Sequence, residues 1–234
     1  MRLEAPDWQY DEFRAAGTDF SDPAHAGAYN RNMGGRLDEE RRRVRRLGLG
    51  EGDTLVEFGC GTGLFAAAAA ERCRLVHAVD VSAAMLDEAR ALADSLELRN
   101  IEFHHAGFLT YAHAGEPAGW IAAQFSFHHL PDFWKSAAVS RMRAMLAPEG
   151  RVYLRDVVFS FEPEEYAAAL EHWVEHGQRP AEGGFGREQF ASHAREEFST
   201  FAWILEGLFE RQGFARESAL HPAREHAEYI FRKT

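Results

Sequence analysis

The sequence lacks any hydrophobic run of the roughly 20 residues that a membrane span needs. Its opening residues, MRLEAPDWQYDEF, carry early acidic side chains and no apolar segment, which argues against a secretory signal. Cysteine is scarce. Cys60 lies in a glycine turn and Cys73 precedes an apolar run, so both predict small packing residues rather than a disulfide or a metal pair. We therefore expect a cytoplasmic protein with no metal site and no membrane contact.

Positive charge is also in short supply. Lys and Arg number 26 against 37 Asp and Glu, giving a formal net charge of −11. Because nucleic-acid binding requires neutralisation of phosphates, this balance disfavours a nucleic-acid partner. The one arginine cluster, between Arg41 and Arg46, directly follows Asp38, Glu39 and Glu40. It favours a solvated helix face with local ion pairs over an RNA or phosphate patch.

Short apolar runs alternate with helical patterns in the middle of the chain. The pattern predicts strands at 54–58, 74–80, 101–106, 120–127 and 151–159, and helices at 64–72, 82–96 and 133–146. The segment APEG (147–150) is predicted to end the last of these helices, and 179–190 is predicted to be a glycine-rich loop. Two more strands are predicted near 214–220 and 226–232, after a helix at about 200–212. We therefore predict a Rossmann-like α/β fold, a doubly wound, mostly parallel sheet of seven strands with helices on both faces. In such sheets ligands bind beyond the carboxyl ends of the strands, near the switch in strand order.

The stretch TLVEFGCGTGLFAAAA, residues 54–69, places Gly59, Gly61 and Gly63 at alternate positions between a strand and a helix. A turn of this kind presents backbone N–H groups to a ligand. Asp80 ends the second predicted strand, where a carboxylate can accept hydrogen bonds from both hydroxyls of a ribose. The pattern therefore predicts a ligand that contains a nucleoside.

Two nucleoside ligands fit the turn. Residues 61–66 satisfy the dinucleotide pattern G-x-G-x-x-G/A, so a nicotinamide-dependent oxidoreductase remains an alternative. Glu57 stands two residues before the first glycine, where it would repel a pyrophosphate but can meet the ammonium group of an amino-acid tail.

Further blocks follow in order, namely VEFGCGTG (56–63), VDVSAAML (79–86), FSFHHLPD (125–132) and MLAPEGRVYLRD (145–156). Over about residues 45–160 the chain resembles the class I S-adenosylmethionine-dependent methyltransferases, in particular the type 11 branch that includes ubiquinone/menaquinone-biosynthesis-like enzymes. The resemblance implies that the glycine turn wraps the methionine part of S-adenosylmethionine and that Asp80 holds the ribose. It also implies that Val81 and Met85 flank the adenine.

The resemblance assigns more contacts around the cofactor. The family usually has an acid after the third strand, facing the adenine amino group, but Gly107 and Phe108 stand there. Phe108 stacking on the ring, or a backbone carbonyl, would then replace that contact. The resemblance places the amino-acid end of the cofactor near the backbone of Gln124 to Ser126, and Tyr29 in a segment that folds over the site.

Candidate residues for catalysis and substrate binding follow the fourth and fifth strands. Methyl transfer is an in-line displacement, so we expect most of the rate to come from positioning. His128 or His129 is the candidate catalytic or substrate-contacting group, the alternative being a structural role in the turn. Arg155 and Asp156 either line the substrate pocket or form an internal ion pair. Trp173, with Phe185 and Trp203, supplies an aromatic substrate wall or packs in the core. His104 and His105 are expected to pack.

The predicted organisation is one methyltransferase domain over residues 1–234. It comprises an N-terminal helical cap (1–44), a cofactor-binding core (45–160), a lid insertion (161–199) and a C-terminal helix with a strand pair (200–234). The leading hypothesis is transfer of a methyl group from S-adenosylmethionine to an O, N or C atom of a small molecule. The alternatives are an NAD(P)-dependent oxidoreductase and a non-catalytic S-adenosylmethionine-binding protein. A monomer and a homodimer are both compatible with the sequence.

Overall fold

A computed structural model describes residues 6–14, 16–17, 37–177 and 186–234. The predicted contacts of Tyr29 and Phe185 fall outside the described residues. Within the described residues, no helix combines the length and the apolar character that a membrane crossing requires.

Strands and helices alternate through the first two thirds of the chain. The strands are β1 Thr54–Phe58, β2 Leu75–Asp80, β3 Ile101–His105, β4 Ala118–Gln124, β5 Leu146–Phe159, β6 Thr200–Phe201, β7 Phe214–Ala223 and β8 His226–Lys233. The helices are α1 Leu37–Leu47, α2 Leu64–Ala70, α3 Ala83–Ser95, α4 Asp132–Met145, α5 Tyr166–His176, α6 Arg187–Glu196 and α7 Ala202–Arg211. Short 3₁₀ turns cover Phe127–His129 and Pro163–Glu165.

The main sheet has the strand order β3-β2-β1-β4-β5-β8-β7, and the two-residue strand β6 pairs separately with β5. Strands β1 to β5 run parallel to one another, whereas β8 is antiparallel to both β5 and β7. This arrangement confirms the predicted Rossmann-like fold with seven strands in the main sheet. The order reverses between β1 and β4, so the carboxyl ends of these two strands flank the crevice where ligands bind in open α/β sheets.

Alternate strand residues feed two apolar cores, one on each face of the sheet. Val56 and Phe58 belong to a core that is closed by α4 and α7, whereas Leu55 belongs to a core that is closed by α1, α2 and α3. Parallel strands that are buried on both faces are almost continuously apolar. Residues 121–123 of β4 (IAA) and 157–159 of β5 (VVF) are examples here. A polar residue in such a strand therefore stands out, and Glu57 in β1 is one.

Several boundaries differ from the sequence prediction; the strand predicted at 120–127, for example, is β4 at Ala118–Gln124. The glycine-rich stretch 179–190 was expected to be a loop, but α6 begins at Arg187, where the backbone N–H of Gly186 donates to the Gln189 side chain and caps the first turn. The prediction was wrong there because α6 has no buried residue and hence no apolar period to detect. Strand β5 begins at Leu146, so the segment APEG (147–150) lies within the strand, at an irregularity between the paired residues Leu146 and Arg151.

Candidate active site

The glycine loop between β1 and α2 is held in a conformation that only glycine adopts easily. Gly59, Gly61 and Gly63 have φ values of 65°, 52° and 82°. A Cβ on Gly59 would lie 2.6 Å from the Oγ of Ser126, and one on Gly63 would lie 2.7 Å from the Cβ of Ala89. The loop is therefore wedged between the end of β4 and helix α3, with its backbone N–H groups at the start of α2.

Glu57 carries the least satisfied carboxylate of this region. Its side chain is 2% exposed, and the backbone N–H of Ala66 donates to it. Its Oε2 has no hydrogen-bond partner among the described residues. Burial, together with the charges of Glu40 and Asp80, raises its pKa well above the usual value. A buried acceptor without a donor is a costly feature that a cationic ligand would relieve.

Asp80 ends β2 on the same side of the loop. Its Oδ2 accepts from the backbone N–H of Gly61 at 2.8 Å, and its Oδ1 accepts from the backbone N–H of Ser82 at 2.8 Å. Burial raises the pKa of this carboxyl. The backbone N–H of Val81 also hydrogen-bonds to this carboxylate. A carboxylate has about four lone-pair positions, so capacity remains for a hydroxyl donor. Asp80 thus fixes the glycine loop and can still accept from a ribose hydroxyl.

The start of α3 lies directly after Asp80. The Ser82 side chain accepts from the backbone N–H of Met85 at 3.2 Å and so caps the helix. Met85 is buried, whereas Val81 is partly exposed beside the crevice. Both residues lie shortly after Asp80 in the chain, and their contacts with adenine stay a prediction.

A carboxylate lies beside Gly107, although no acidic residue directly follows β3 in the sequence. It belongs to Glu12, whose Oε2 occupies the space that a side chain on residue 107 would take. The Glu12 carboxylate accepts from the backbone N–H of Leu109 at 3.0 Å and from the hydroxyl of Thr110 at 2.7 Å. Burial raises its pKa. A Cβ on Gly107 would also lie 2.8 Å from Val81, so Glu12 borders the predicted adenine side of the crevice.

Phe108 points into the protein. Its ring stacks on Phe58 with centroids 4.8 Å apart, and it meets Phe127 edge-on at 5.2 Å. These contacts make Phe108 a member of the apolar core between β1 and α4.

His128 lies in a chain of ion pairs at the end of β4. Its Nδ1 is bonded to the Asp156 carboxylate, and its Nε2 lies 3.0 Å from the Oε2 of Glu197. The same oxygen lies 2.5 Å from the Nδ1 of His193, whose Nε2 lies 2.7 Å from the hydroxyl of Ser199. Five side chains from four parts of the chain thus form one polar network, which we call the histidine network.

The carboxylates decide the charge of His128. Burial favours the neutral ring, but Asp156 and Glu197 outweigh it and raise the pKa of His128 to about 9. Burial and the positive charge of His128 lower the pKa of the neighbouring His129 to about 3. At neutral pH the first imidazole is charged and donates to two carboxylates, whereas the second is neutral.

Asp156 is fully engaged in the protein. Besides His128, it accepts backbone N–H groups of Phe127, His128 and Val157 at 2.9, 3.1 and 2.7 Å. It therefore has the internal ion pair that was one of its two alternatives. Arg155 points the other way, with its guanidinium 4.7 Å from the centre of the Phe125 ring and 3.5 Å from Glu228.

The remaining predicted site residues contact neighbouring elements of the fold. Ser126 donates to the carbonyl of Phe58 at 3.0 Å, and Gln124 donates to Glu40 at 3.4 Å. Trp173 is buried, and its ring meets that of His193 at 5.1 Å. The tryptophan therefore packs directly behind the histidine network.

Several residues of the site carried no signal in the sequence. Glu12, Glu40, His193 and Glu197 lie far from the quoted motifs and join the site only through the fold. Glu40 looked like part of a solvated helix face. The local pairs do form, but the Glu40–Arg43 pair is largely buried. The sequence pattern alone cannot identify such residues. A charged residue gives the same pattern whether its helix face is exposed to solvent or covered by another part of the protein.

Comparisons with known proteins identify relatives of this chain. A family model described as a methyltransferase domain matches residues 55–150. An uncharacterized methyltransferase of Geobacillus kaustophilus (strain HTA426) is 30% identical over 168 residues, which is 72% of this chain and 72% of that protein.

Two solved structures have the same fold. A SAM-dependent methyltransferase from Aquifex aeolicus superposes with a TM-score of 0.64 at 15% identity, over 91% of this chain and 99% of that one. The N-methyltransferase NodS from Bradyrhizobium japonicum, in complex with S-adenosyl-L-homocysteine, gives 0.59 at 17% identity, over 84% and 86%. Given its sequence relatives and this fold, the chain belongs to the class I S-adenosylmethionine-dependent methyltransferases.

Proposed function

We propose that the protein moves a methyl group from S-adenosylmethionine to an O, N or C atom of a small molecule. The observation that carries this proposal is the buried Glu57 carboxylate beside the glycine loop, with one oxygen that lacks a donor among the described residues. An ammonium group supplies that donor and a compensating charge. A pyrophosphate supplies neither, which disfavours the nicotinamide alternative.

The residues of the crevice fit the parts of this cofactor. Glu57 and the backbone of the loop from Gly59 to Gly63 would hold the methionine end, near Gln124 and Ser126. Asp80 would hold the ribose with its remaining acceptor capacity, and Val81 and Met85 would flank the adenine. When bound, the cofactor supplies a methyl group that its sulfonium centre already activates.

We propose that Glu12 accepts a hydrogen bond from the adenine amino group. The residues directly after β3 supply no acid for this contact. The Glu12 carboxylate borders Val81 and fills the space next to Gly107. An acceptor at this position suits the amino group of adenine. Phe108, held in the core by Phe58, supports the wall from behind.

The histidine pair divides its roles according to charge. His128 holds its proton at neutral pH because two carboxylates surround it, so it cannot accept one from a substrate. We propose that His128 instead holds the turn at Phe127–His129 in position. His129 is neutral and keeps a lone pair, so it is the member that contacts the acceptor. Most of the rate then comes from holding the acceptor in line with the methyl group.

The acceptor pocket is formed by the histidine network and its aromatic backing. Trp173 of α5 lies behind His193 of α6, and its ring meets that of Phe159 at the end of β5, with centroids 6.1 Å apart. We propose that these helices act as a lid over a small-molecule acceptor, with Arg155 at the rim of the pocket. The cytoplasm is the proposed location.

The test has two stages. Calorimetry with S-adenosylhomocysteine and with NAD(P) should give binding of the first alone; binding of NAD(P) alone would overturn the proposal. Methyl transfer from labelled S-adenosylmethionine is then measured over a panel of O, N and C acceptors. His129→Ala should lower turnover while leaving cofactor affinity almost unchanged. Binding without turnover on any acceptor would favour a non-catalytic cofactor-binding protein.

A further inference from the structure

A second cluster of potential ligands lies on the sheet, outside the histidine network. It consists of His77 in β2 and of Glu102 and His104 in β3. In the parallel pairing of the two strands, His77 is opposite Glu102, and Val79 is opposite His104. Residues two apart on a strand share a face, so Glu102 and His104 both lie on the face to which His77 points.

The three ligand atoms lie close together. The Nδ1 of His77 and the Nε2 of His104 are 3.1 Å apart. The Oε2 of Glu102 is 3.3 Å from the first nitrogen and 3.7 Å from the second. The atoms therefore form a nearly regular triangle.

This triangle has the size that a metal ion requires. Zinc binds nitrogen and oxygen ligands at about 2.0–2.2 Å in tetrahedral geometry, which separates the ligand atoms by about 3.3–3.6 Å. A single hydrogen bond accounts for only one side of the triangle, the one between the two imidazoles. We propose that His77, Glu102 and His104 form a zinc site on the edge of the sheet.

The surroundings favour an open site with three protein ligands. His77 is buried, and the rings of Tyr111 and His113 close one side, at 5.0 Å from His104 and from His77. His113 is already engaged, with its Nδ1 on the hydroxyl of Tyr111 and its Nε2 on a backbone carbonyl. Glu102 has a side chain that is 56% exposed, so an ion can enter from solvent and keep water as its fourth ligand.

The donor set selects among metals. Two imidazoles and one carboxylate suit zinc and other borderline ions, whereas magnesium and calcium prefer oxygen ligands alone. The ion links the edge strand β3 to β2. Its ligand in β2, His77, lies three residues before Asp80. The effect of the ion is on the stability of this edge, and methyl transfer does not depend on it.

The test is a calorimetric titration of the full chain, without a histidine tag, with zinc chloride. We expect one strong site per chain. Glu102→Gln and His104→Ala should each weaken it by more than the roughly 10- to 100-fold that loss of an outer-shell partner causes. The matched control is Glu88→Gln, an exposed acid on α3, which should bind zinc like the wild type.

Thermal unfolding gives an independent readout. Zinc at about 100 times its Kd should raise the Tm of the wild type by about 5 °C or more and leave Glu102→Gln unchanged. Glu102 is exposed, so its replacement keeps the fold. Absence of zinc binding, or binding that survives both substitutions, would overturn the proposal. Weaker binding in Glu197→Gln alone would place the ion in the histidine network and would also overturn it.

Discussion

The carboxylate of Glu12 occupies the space beside the backbone of Gly107 that the side chain of residue 107 would otherwise fill. The two residues are 95 positions apart, and the N-terminal segment reaches across the crevice to bring them together. The hydrogen bonds from Leu109 and Thr110 hold the carboxylate in place. An acid from one end of the chain can thus take over a position that the strand itself leaves empty.

Replacing Glu12 by alanine should reduce the discrimination between adenine and hypoxanthine. If Glu12 accepts from the adenine amino group, the wild type binds S-adenosylhomocysteine about tenfold more tightly than S-inosylhomocysteine. The variant should bind both about equally. Calorimetry with the two ligands measures this, and Asp7→Asn, an exposed acid in the same segment, is the control. Unchanged discrimination in Glu12→Ala would leave Glu12 only a structural role.

Replacing Glu57 by glutamine should weaken the cofactor and stabilise the empty protein. The charged hydrogen bond to an ammonium group is worth about 1.5–3 kcal/mol, so the Kd should rise at least about tenfold. Because burial raises the pKa of Glu57 in the folded state, wild-type stability declines as the pH rises from the unfolded value of 4.5 toward the raised one. Glutamine has no charge to bury and removes that decline.

Two measurements separate these effects. Calorimetry gives the loss of affinity for S-adenosylhomocysteine, and Tm without ligand gives the gain in stability. Glu51→Gln, an exposed acid just before β1, should change neither. If Glu57→Gln bound the cofactor as well as the wild type, the ammonium assignment would be wrong.

Most of the fold could be predicted because its signals are local. Four of the first five strands contain a short apolar run, β3 being the more polar exception, and the helices between them predict a parallel sheet. The glycine loop was recognisable for the same reason, since Gly59, Gly61 and Gly63 stand together in the chain. Helix α6 was missed because none of its side chains is buried.

Only some of the site residues could be predicted from the sequence, for a different reason. His128 and Asp156 could be named as candidates, but their mutual contact joins two strands and lies outside any local pattern. Glu197, which sets the charge of His128 together with Asp156, and its partner His193 lie 65 and more residues later, in a stretch whose sequence is typical of a surface segment. The charge of a buried histidine is a property of the assembled fold. The roles of these residues in binding and transfer remain predictions.

Replacing Gly59 by alanine should destabilise the protein and disrupt the loop. The residue has φ = 65°, and an added Cβ would collide with the Ser126 side chain. Strain at a positive φ alone costs about 1 kcal/mol, and the collision adds to it, so a loss of about 2 kcal/mol or more is expected in urea denaturation. Gly52→Ala is the control, because a Cβ there meets no atom within 4 Å. Equal stability of the two variants would contradict the wedged loop.

Replacing His128 by glutamine should flatten the dependence of stability on alkaline pH. The pKa of His128 is about 9 in the folded protein against an ordinary value of 6.5, because the carboxylates of Asp156 and Glu197 favour the charged ring over the cost of burial. Its contribution is therefore fully present below pH 6.5 and is lost as the pH rises through 9, with a size on the order of 3 kcal/mol. Urea denaturation across this range should show the decline in the wild type and in His221→Gln, whose histidine is exposed, but not in His128→Gln. A decline of the same size in all three proteins would mean that another group titrates there and that His128 is not the charged member of the network.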